Sequence, residues 1–524
     1  MKLELEQNTV PDEIEGELNI KTFLSLFETN LPLIPRMLLR PLKKEDGLSH
    51  FSQLKALSSY LITEDSDLPH IVKNMAELPF VDHVIAAFEA GSLQPAHLQV
   101  LGIFIEKNFG LFKYEKKFAL DSKGMAICGE ILKILKRHTR NNFGEILLFR
   151  EEKELQGRIK TANKEIVTFT KKMEKDVQKT TGMGMNHPWP KELPPDTGLL
   201  PKIKACEFLK ASKKNDLWFV EWVNPATLKK MSEELQRLEK LFEEEMSRRL
   251  KRINAELKAF TKDFCAHVRE RKERTYHYAL LNTLKKSKLT LPVFSDNPGL
   301  VLAKAVIPSL QILRKESYVP LDVTINKGAN VLFGANMSGK TTVLKTAYFH
   351  LKMIQLGLPV PASQVQTSYP ENVFFHLKNS GNLAQGLSGF GEEMNFFSNV
   401  FPAGSFILTD EMFHSTNPVS GTELSIAFLE EFSSRPCIFL CTTQYPGALE
   451  PKNISLLHMR DVDYKALAKE KLSLVSLLEK VPYKVESISS DKVAGVLKEG
   501  KNALYLALHF PLDERFKDKI RSRL

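Results

Sequence analysis

The stretch that decides the fold is Asn330-Val-Leu-Phe333, followed by Gly334-Ala-Asn-Met-Ser-Gly339-Lys340-Thr341-Thr342 and then by an amphipathic segment, Val343 to Leu356. The apolar run, the glycine-rich run and the helical spacing predict a strand, a loop and a helix in that order. In the pattern G-x-x-x-x-G-K-[ST], glycines let backbone N–H groups surround phosphates, and the helix N-terminus adds favourable partial charge. The stretch therefore predicts a nucleotide-binding loop.

Further residues complete the predicted ATP and Mg²⁺ site. Lys340 is expected to reach the β- and γ-phosphates, and Thr341 to hold the Mg²⁺. The apolar run Ser405 to Thr409 ends in Asp410 and Glu411, which are expected to orient the Mg²⁺ shell and to polarise the attacking water. The alternative is a pair of surface acids at a strand end. The predicted nucleotide contacts in the loop are Gly334, Asn336, Met337, Ser338, Gly339, Lys340, Thr341 and Thr342.

Composition narrows the class of protein. The chain has 524 residues, 43% apolar and 26% charged, which is ordinary for a soluble globular protein. Five scattered cysteines favour a reducing cytosol over a disulfide scaffold. The sequence shows no signal peptide, and no apolar run approaches the ~18–20 residues of a membrane span. We therefore expect a cytoplasmic protein that does not cross a membrane.

The chain divides by pattern into three predicted parts. Residues 1–144 read as an all-α helical core, and residues 291–524 as an α/β P-loop ATPase domain with a parallel-sheet core. Between them, residues 145–290 read as an arm of two long helices. The arm's predicted β-rich tip lies near 203–223, built from the runs Ile203 to Leu209 and Leu217 to Val223.

Positive charge is concentrated in two segments. Residues 133–181 carry a net charge of +6 and residues 226–286 another +6, within a whole-chain net charge of +10. This places the predicted basic surface on the arm, where a polyanion would make salt-sensitive phosphate contacts. The alternative is the usual solvated face of a helix. The candidate contact residues are Lys171, Lys172, Lys175, Arg248, Arg249 and Arg252.

Several motifs resemble those of the MutS family. Gly334 to Thr342 resembles the family's G-x-N-M-x-G-K-[ST]-T loop, and Gly357 to Ala362 its G-x-x-V-P-A segment. Gly386 to Met394 is similar to the signature loop, and Asn502 to Leu512 to the segment that closes the ATPase domain. The spacing from Asp410-Glu411 to Gly421 also matches. Upstream, Pro35 to Leu42 and Leu217 to Pro225 resemble the start of the helical core and the clamp tip.

The resemblance implies an ABC-type ATPase that dimerises through its nucleotide domains and uses ATP and Mg²⁺. Ser388 of one subunit would meet the γ-phosphate bound by the other, and the lever arms would open around a client, usually DNA. Gln444 stands where the family has a γ-phosphate-sensing histidine. Since a glutamine side chain cannot become cationic, we expect slow turnover with Glu411 and Gln444 as the catalytic residues.

The sequence also departs from the family's pattern. No Phe-x-Glu or Phe-Tyr-Glu element appears near the N-terminus, the chain begins close to the helical core, and it ends without an appended nuclease domain. We therefore expect a homodimeric clamp that acts on branched or damaged DNA rather than on mismatches, with no nuclease activity. The alternative is a remodelling or reactivating ATPase for a protein client, such as a cobalamin-dependent aminomutase. A third possibility is an ATP-binding scaffold without turnover.

Overall fold

A computed structural model describes residues 1–6, 10–62, 67–115, 122–183, 189–296, 299–314, 318–335, 337–377, 389–399, 401–460, 481–497, 502–510 and 512–524. The chain forms two compact units, one of Met1–Glu77 with Glu270–Leu524 and the other of Leu78–Arg269. Among the helices in these ranges, none is long and apolar enough to cross a membrane.

The elements are numbered in chain order. The strands are β1 Lys2–Leu5, β2 Arg36–Leu39, β3 Thr139–Arg140, β4 Glu145–Ile146, β5 Lys191–Leu193, β6 Leu209–Lys214, β7 Leu217–Trp222, β8 Val293–Phe294, β9 Gly299–Ala305, β10 Leu321–Asn326, β11 Gly328–Phe333, β12 Gln364–Thr367, β13 Val373–His376, β14 Phe406–Thr409, β15 Ile438–Thr442, β16 Ser455–Met459 and β17 Val485–Ile488. The helices are α1 Asp12–Leu18, α2 Ile20–Ser25, α3 Lys44–Leu61, α4 Leu68–Met75, α5 Asp82–Glu89, α6 Pro95–Glu115, α7 Ser122–His138, α8 Arg150–Thr181, α9 Leu200–Ala205, α10 Ala226–Leu257, α11 Thr261–Lys286, α12 Pro308–Arg314, α13 Lys340–Gln355, α14 Gly389–Phe397, α15 Pro418–Ser434, α16 Ser490–Leu497, α17 Asn502–Ala507 and α18 Glu514–Arg521.

A six-stranded sheet in the first unit positions the candidate site. Its order is β13-β14-β15-β11-β16-β17, and all neighbours are parallel except β16 and β17. Strands β11, β14 and β15 are buried along their whole length, as expected for parallel strands covered on both faces. Because β11, β14 and β15 are parallel, their carboxyl ends meet at one edge, where α/β folds bind ligands. The predicted mixed α/β fold with a parallel sheet is confirmed.

The same unit contains a four-stranded sheet in the order β10-β9-β12-β8. The N-terminal residues pack onto this part of the chain. Leu42 donates its N–H to Gln355 O at 2.9 Å and accepts the Tyr369 hydroxyl at 3.1 Å, and His50 Nε2 lies 2.8 Å from Gly357 O. These contacts agree with the division into compact units, whose boundaries follow residues 77 and 269. The boundaries predicted from the sequence, after residues 144 and 290, are different.

Residues 1–144 are not wholly helical. Strands β1 and β2 form a small parallel pair, so the expectation of an all-α segment is wrong at this point. The segment Pro35 to Leu42, predicted as the start of the helical core, contains β2. Pro35 and Pro41 flank the strand, and a proline disfavours helix both at its own position and at the residue before it.

In the second unit, helices α8 and α10 pack against each other. Each has 32 residues, which corresponds to a length of about 48 Å. Helix α8 begins at Arg150 rather than at Glu145, because β4 pairs with β3 first. Helix α8 has a net charge of +3. The segment 226–286, which carries +6, consists of α10, a short 3-10 turn and α11. Most of the predicted positive balance therefore lies on long helices.

The arm tip is a three-stranded antiparallel sheet, β5-β7-β6, and α9 lies between β5 and β6 in the chain. The run Ile203 to Leu209 was predicted as a strand, but α9 occupies its first half and the strand begins only at Leu209. Asn215 and Asp216 both have positive φ, as a two-residue hairpin turn requires. The rings of Trp189 and Trp222 lie 5.3 Å apart and pack on the tip's own core.

Candidate nucleotide-binding site

The glycine-rich loop joins β11 to α13, which begins at Lys340. Gly339 has φ +99°, a backbone conformation that favours glycine, and an added Cβ there would lie 3.0 Å from Tyr483 Cδ1. Lys340 Nζ donates hydrogen bonds to the carbonyl oxygens of Gly334 and Ala335, both at 2.9 Å. The lysine amine is thus held against the loop backbone where the sequence predicts phosphates. Asn336 lies outside the described residues.

The other predicted loop residues occupy different environments. Ser338 is buried, Met337 is 42% exposed with φ +67°, and Thr341 and Thr342 at the start of α13 are half-buried. The left-handed backbone at Met337 and Gly339 makes the loop turn sharply between β11 and α13. This turn leaves the first N–H groups of α13 without carbonyl partners inside the helix, as at any helix start.

Asp410 connects the loop to the neighbouring strands. It is 6% exposed, and its Oδ2 accepts the Thr341 hydroxyl at 2.7 Å. Its Oδ1 accepts the Thr442 hydroxyl, also at 2.7 Å. Strand β15 lies between β11 and β14, so Thr442, at the end of β15, fills the gap between the loop strand and the acidic strand. Sequence reasoning missed Thr442, since no motif marks it.

The donor set fits a magnesium ion that is bound together with a nucleotide. The Thr341 hydroxyl and the Asp410 carboxylate are both oxygen donors, which Mg²⁺ prefers. In the described part of the chain, no cluster of three or more His, Cys, Asp or Glu could form a protein-only metal site. Mg²⁺ in nucleotide sites typically uses one or two protein groups plus phosphates and water. Thr341 and Asp410 are therefore suited to such an ion.

Glu411 lies in a tight turn after β14. Its backbone has φ +47°, and its N–H donates to Thr442 Oγ1 at 2.7 Å. Its side chain is 25% exposed, and Oε2 lies 3.9 Å from Nε2 of His414. The Glu411 carboxylate is therefore accessible to water, as a general base must be. Glu411 also directly follows Asp410 in the sequence. The imidazole of His414 lies close to the Glu411 carboxylate.

Gln444 and its neighbour Tyr445 border the same turn. Gln444 is exposed, whereas Tyr445 is buried. The Tyr445 hydroxyl donates to Phe413 O at 2.9 Å. An added Cβ on Gly421 would lie 2.6 Å from the Tyr445 ring, so the ring explains why a glycine stands at this spacing after the acidic pair. Gln444 is thus next in sequence to the residue that contacts the turn.

The predicted signature loop is described only from Gly389 onward, so Ser388 lies outside the described residues. Its remaining residues form α14. Glu393 on α14 is 4% exposed, and its Oε1 accepts the N–H of Phe413 at 2.8 Å. The helix that follows Ser388 is therefore hydrogen-bonded to the turn that carries Glu411.

A pocket adjoins the glycine-rich loop. Two of its lining residues, Tyr318 and Tyr483, are aromatic, and two others, Gly339 and Thr342, belong to the loop. Sequence reasoning missed both tyrosines, because they lie far from the loop in the sequence and only folding places them beside it. The remaining lining residues are Val319, Leu321, Val343, Thr346 and Met459.

A parallel sheet with a glycine-rich strand–loop–helix at its carboxyl edge, and an aspartate bound to the loop, is an arrangement typical of α/β nucleotide-binding domains. Residues 330–497 match the family model for MutS domain V. Domain V is the ATPase-type domain of MutS proteins, so this part of the chain is similar to a MutS ATPase domain.

Curated relatives resemble the chain over its C-terminal part. It is 27% identical to the endonuclease MutS2 of Fusobacterium nucleatum over 234 residues, which are 43% of this chain and 29% of that protein. It is 28% identical over 193 residues to the DNA mismatch repair protein MSH3 of Cryptococcus neoformans, covering 34% of this chain and 16% of that protein. The MSH3 of Vanderwaltozyma polyspora is 28% identical over 232 residues, 42% of this chain and 22% of that protein. The matched part therefore spans less than a third of each relative.

Proposed function

We propose that the chain binds Mg·ATP at its glycine-rich loop and hydrolyses it slowly. The observation that carries this proposal is the contact of Thr341 with Asp410, beside Lys340 on the loop backbone. The proposal is tested by equilibrium titration of the purified chain with ATP, with and without Mg²⁺. Saturable binding that tightens with Mg²⁺ is expected, and a flat titration contradicts the proposal.

The residues of the candidate site have different roles in the proposed reaction. A bound Mg²⁺ would neutralise charge that develops on the phosphates. Lys340 and the loop N–H groups, including those of Gly339 and Thr342, hold the phosphates, while Thr341 and Asp410 hold the ion. Glu411 accepts the proton of the attacking water, and Gln444 hydrogen-bonds near the γ-phosphate without becoming cationic.

The aromatic pocket is proposed to receive the nucleotide base. Stacking a base on an aromatic ring is worth about 1–3 kcal/mol, so Tyr483→Ala is expected to weaken ATP binding about tenfold. Tyr483→Phe keeps the ring and should bind ATP as the unmodified chain does. Fluorescence titration with a ribose-labelled ATP analogue measures both variants. If the alanine variant binds like the phenylalanine variant, the base lies elsewhere.

The resemblance to the MutS family supports a homodimer in which Ser388 of each subunit completes the partner's site. Light scattering with bound ATP in the Glu411→Gln variant tests this, since blocked turnover retains the nucleotide. A mass of two chains is expected. A single-chain mass at micromolar concentration, with ATP bound, contradicts the dimer.

We propose DNA, in branched or damaged form, as the client of the arm. The names of the relatives, an endonuclease and mismatch repair proteins, support a DNA-related function. Lys171, Lys172 and Lys175 are exposed together on α8. Arg249 does not fit the same role, because it forms a buried ion pair with Glu152 at 2.6 Å. It also stacks on the Phe149 ring, 3.7 Å from its centroid.

The lysine cluster on α8 gives a direct test of the DNA proposal. In a variant with Lys171, Lys172 and Lys175 all changed to Gln, the slope of log affinity against log salt should fall by about 0.9 per lost phosphate contact, up to roughly 2.7. Anisotropy titrations on duplex and branched DNA measure this slope. A matched control changes the exposed Lys55, Lys327 and Lys452 to Gln. Equal slopes in both triple variants would indicate that the arm's client is a protein.

A further inference from the structure

The turn that carries Glu411 has a strained backbone. Glu411 has φ +47° and Phe413 has φ +55°, although neither is a glycine, and buried Met412 lies between them. Non-glycine residues with left-handed backbone cost energy, and they persist where the surrounding structure determines them. The groups that hold this turn therefore determine where the Glu411 carboxylate stands.

Most of those groups come from β15 and the residues after it. Thr442 accepts the N–H of Glu411 through its hydroxyl at 2.7 Å and the N–H of Met412 through its carbonyl at 3.0 Å. Tyr445 donates its hydroxyl to the carbonyl of Phe413 at 2.9 Å. One remaining backbone group of the turn, the N–H of Phe413, is bound by a different element. Its acceptor is Glu393 Oε1 on α14, at 2.8 Å.

Glu393 is an unusual residue for a purely structural hydrogen bond. Its side chain is 4% exposed, and within the described residues its Oε2 has no hydrogen-bond partner. Burial raises the pKa of the Glu393 carboxyl, and the hydrogen bond from Phe413 opposes that rise. A buried carboxyl with half of its acceptors unpaired costs stability compared with an apolar side chain. Packing alone therefore does not explain why a glutamate occupies this position.

Helix α14 and the turn are also in close contact. An added Cβ on Gly389, the first residue of α14, would lie 2.7 Å from the hydroxyl of Ser415. At the other end of the helix, the rings of Phe397 and Phe413 have their centroids 5.5 Å apart. A displacement of α14 relative to the sheet would therefore act on the chain just after Glu411, at Phe413 and at Ser415.

We propose that Glu393 is a positioning residue that couples α14 to Glu411. The position of this helix then determines the position of the Glu411 carboxylate. The hydrogen bond to the N–H of Phe413 holds the strained turn in the form that presents Glu411. When α14 moves away, the turn loses this acceptor and relaxes, and the carboxylate leaves its reactive position. The inference rests on the proposed ATP hydrolysis with Glu411 as the base.

Two substitutions separate positioning from bulk stability. Glu393→Ala removes the acceptor, whereas Glu393→Gln keeps an oxygen that can accept the Phe413 N–H. We expect Glu393→Ala to lower kcat for phosphate release about tenfold, the scale of one buried hydrogen bond, with KM and ATP affinity within about twofold. Glu393→Gln should retain kcat within about threefold. Asn395→Ala, an exposed residue of the same helix, is the matched control.

The inference is overturned if Glu393→Ala leaves kcat unchanged, if Glu393→Gln loses as much as Glu393→Ala, or if kcat and ATP affinity fall together with the melting temperature. Hydrogen exchange of the 411–414 amides gives a readout that does not depend on hydrolysis. We expect faster exchange there in Glu393→Ala and unchanged exchange in β15. If the unmodified chain shows no turnover, the proposed hydrolysis fails, and exchange alone decides the coupling. Unchanged exchange in the 411–414 amides then overturns it.

Discussion

Glu411→Gln is expected to abolish ATP turnover while ATP binding remains. The amide has the size and shape of the carboxylate, so it should preserve the turn, in which the Glu411 N–H is bound by Thr442. It cannot accept a proton from water, and loss of a general base typically costs about 100-fold or more in rate. Steady-state phosphate release measures the turnover rate of the variant, and an equilibrium titration on the same preparation measures its affinity for ATP.

A matched control for this substitution is Glu423→Gln, an exposed carboxylate on α15. It makes the same chemical change away from the site, so turnover should equal that of the unmodified chain. If Glu411→Gln also turns over at the unmodified rate, Glu411 is not the base. If it loses ATP binding as well, its role is structural rather than chemical.

Lys340→Ala is expected to lose most of the affinity for ATP. In the structure the amine is fixed on the carbonyl oxygens of Gly334 and Ala335, both at 2.9 Å. Hydrogen bonds from a charged donor contribute about 1.5–3 kcal/mol, so affinity should fall about 10- to 100-fold. A fluorescent-nucleotide titration in the presence of Mg²⁺ measures the change, and phosphate release should fall to background.

Lys327→Ala provides the comparison for the loop lysine. Lys327 is exposed and immediately precedes β11, at the end of the strand opposite to the glycine-rich loop. Its removal should leave ATP affinity unchanged. Equal affinities of the two lysine variants would mean that the phosphates are not bound at the glycine-rich loop.

The sheet around the loop could be predicted because its signals are local. Asn330 to Phe333 is a short apolar run, and the structure buries all of β11. The loop pattern fixes a strand before it and a helix after it, and α13 begins at Lys340 as expected. The resemblance to the MutS family, confirmed by the match over residues 330–497, rests on the same local motifs. The individual residue roles stay predictions that the variants above test.

The rest of the site depends on contacts between distant segments. Thr442 reaches Asp410 only because β15 lies between β11 and β14, an order that no local pattern specifies. Tyr318 and Tyr483 line one pocket although 165 positions separate them. The partner of Glu393 is a backbone N–H, which has no signature in the sequence.

The error at the arm tip arises from an ambiguous local pattern. Ile203 to Leu209 is mostly apolar and short, and such a run does not distinguish a strand from a buried helix. Pro201 fits the first turn of α9, where proline is tolerated, and this marks the start of a helix.

Steady-state phosphate release from the unmodified chain, over a range of ATP concentrations, shows whether the chain is a magnesium-dependent ATPase. We predict a rate that rises to a plateau, disappears when Mg²⁺ is chelated and falls to background in Lys340→Ala. A release rate that is the same in the unmodified chain and in Lys340→Ala would contradict this prediction.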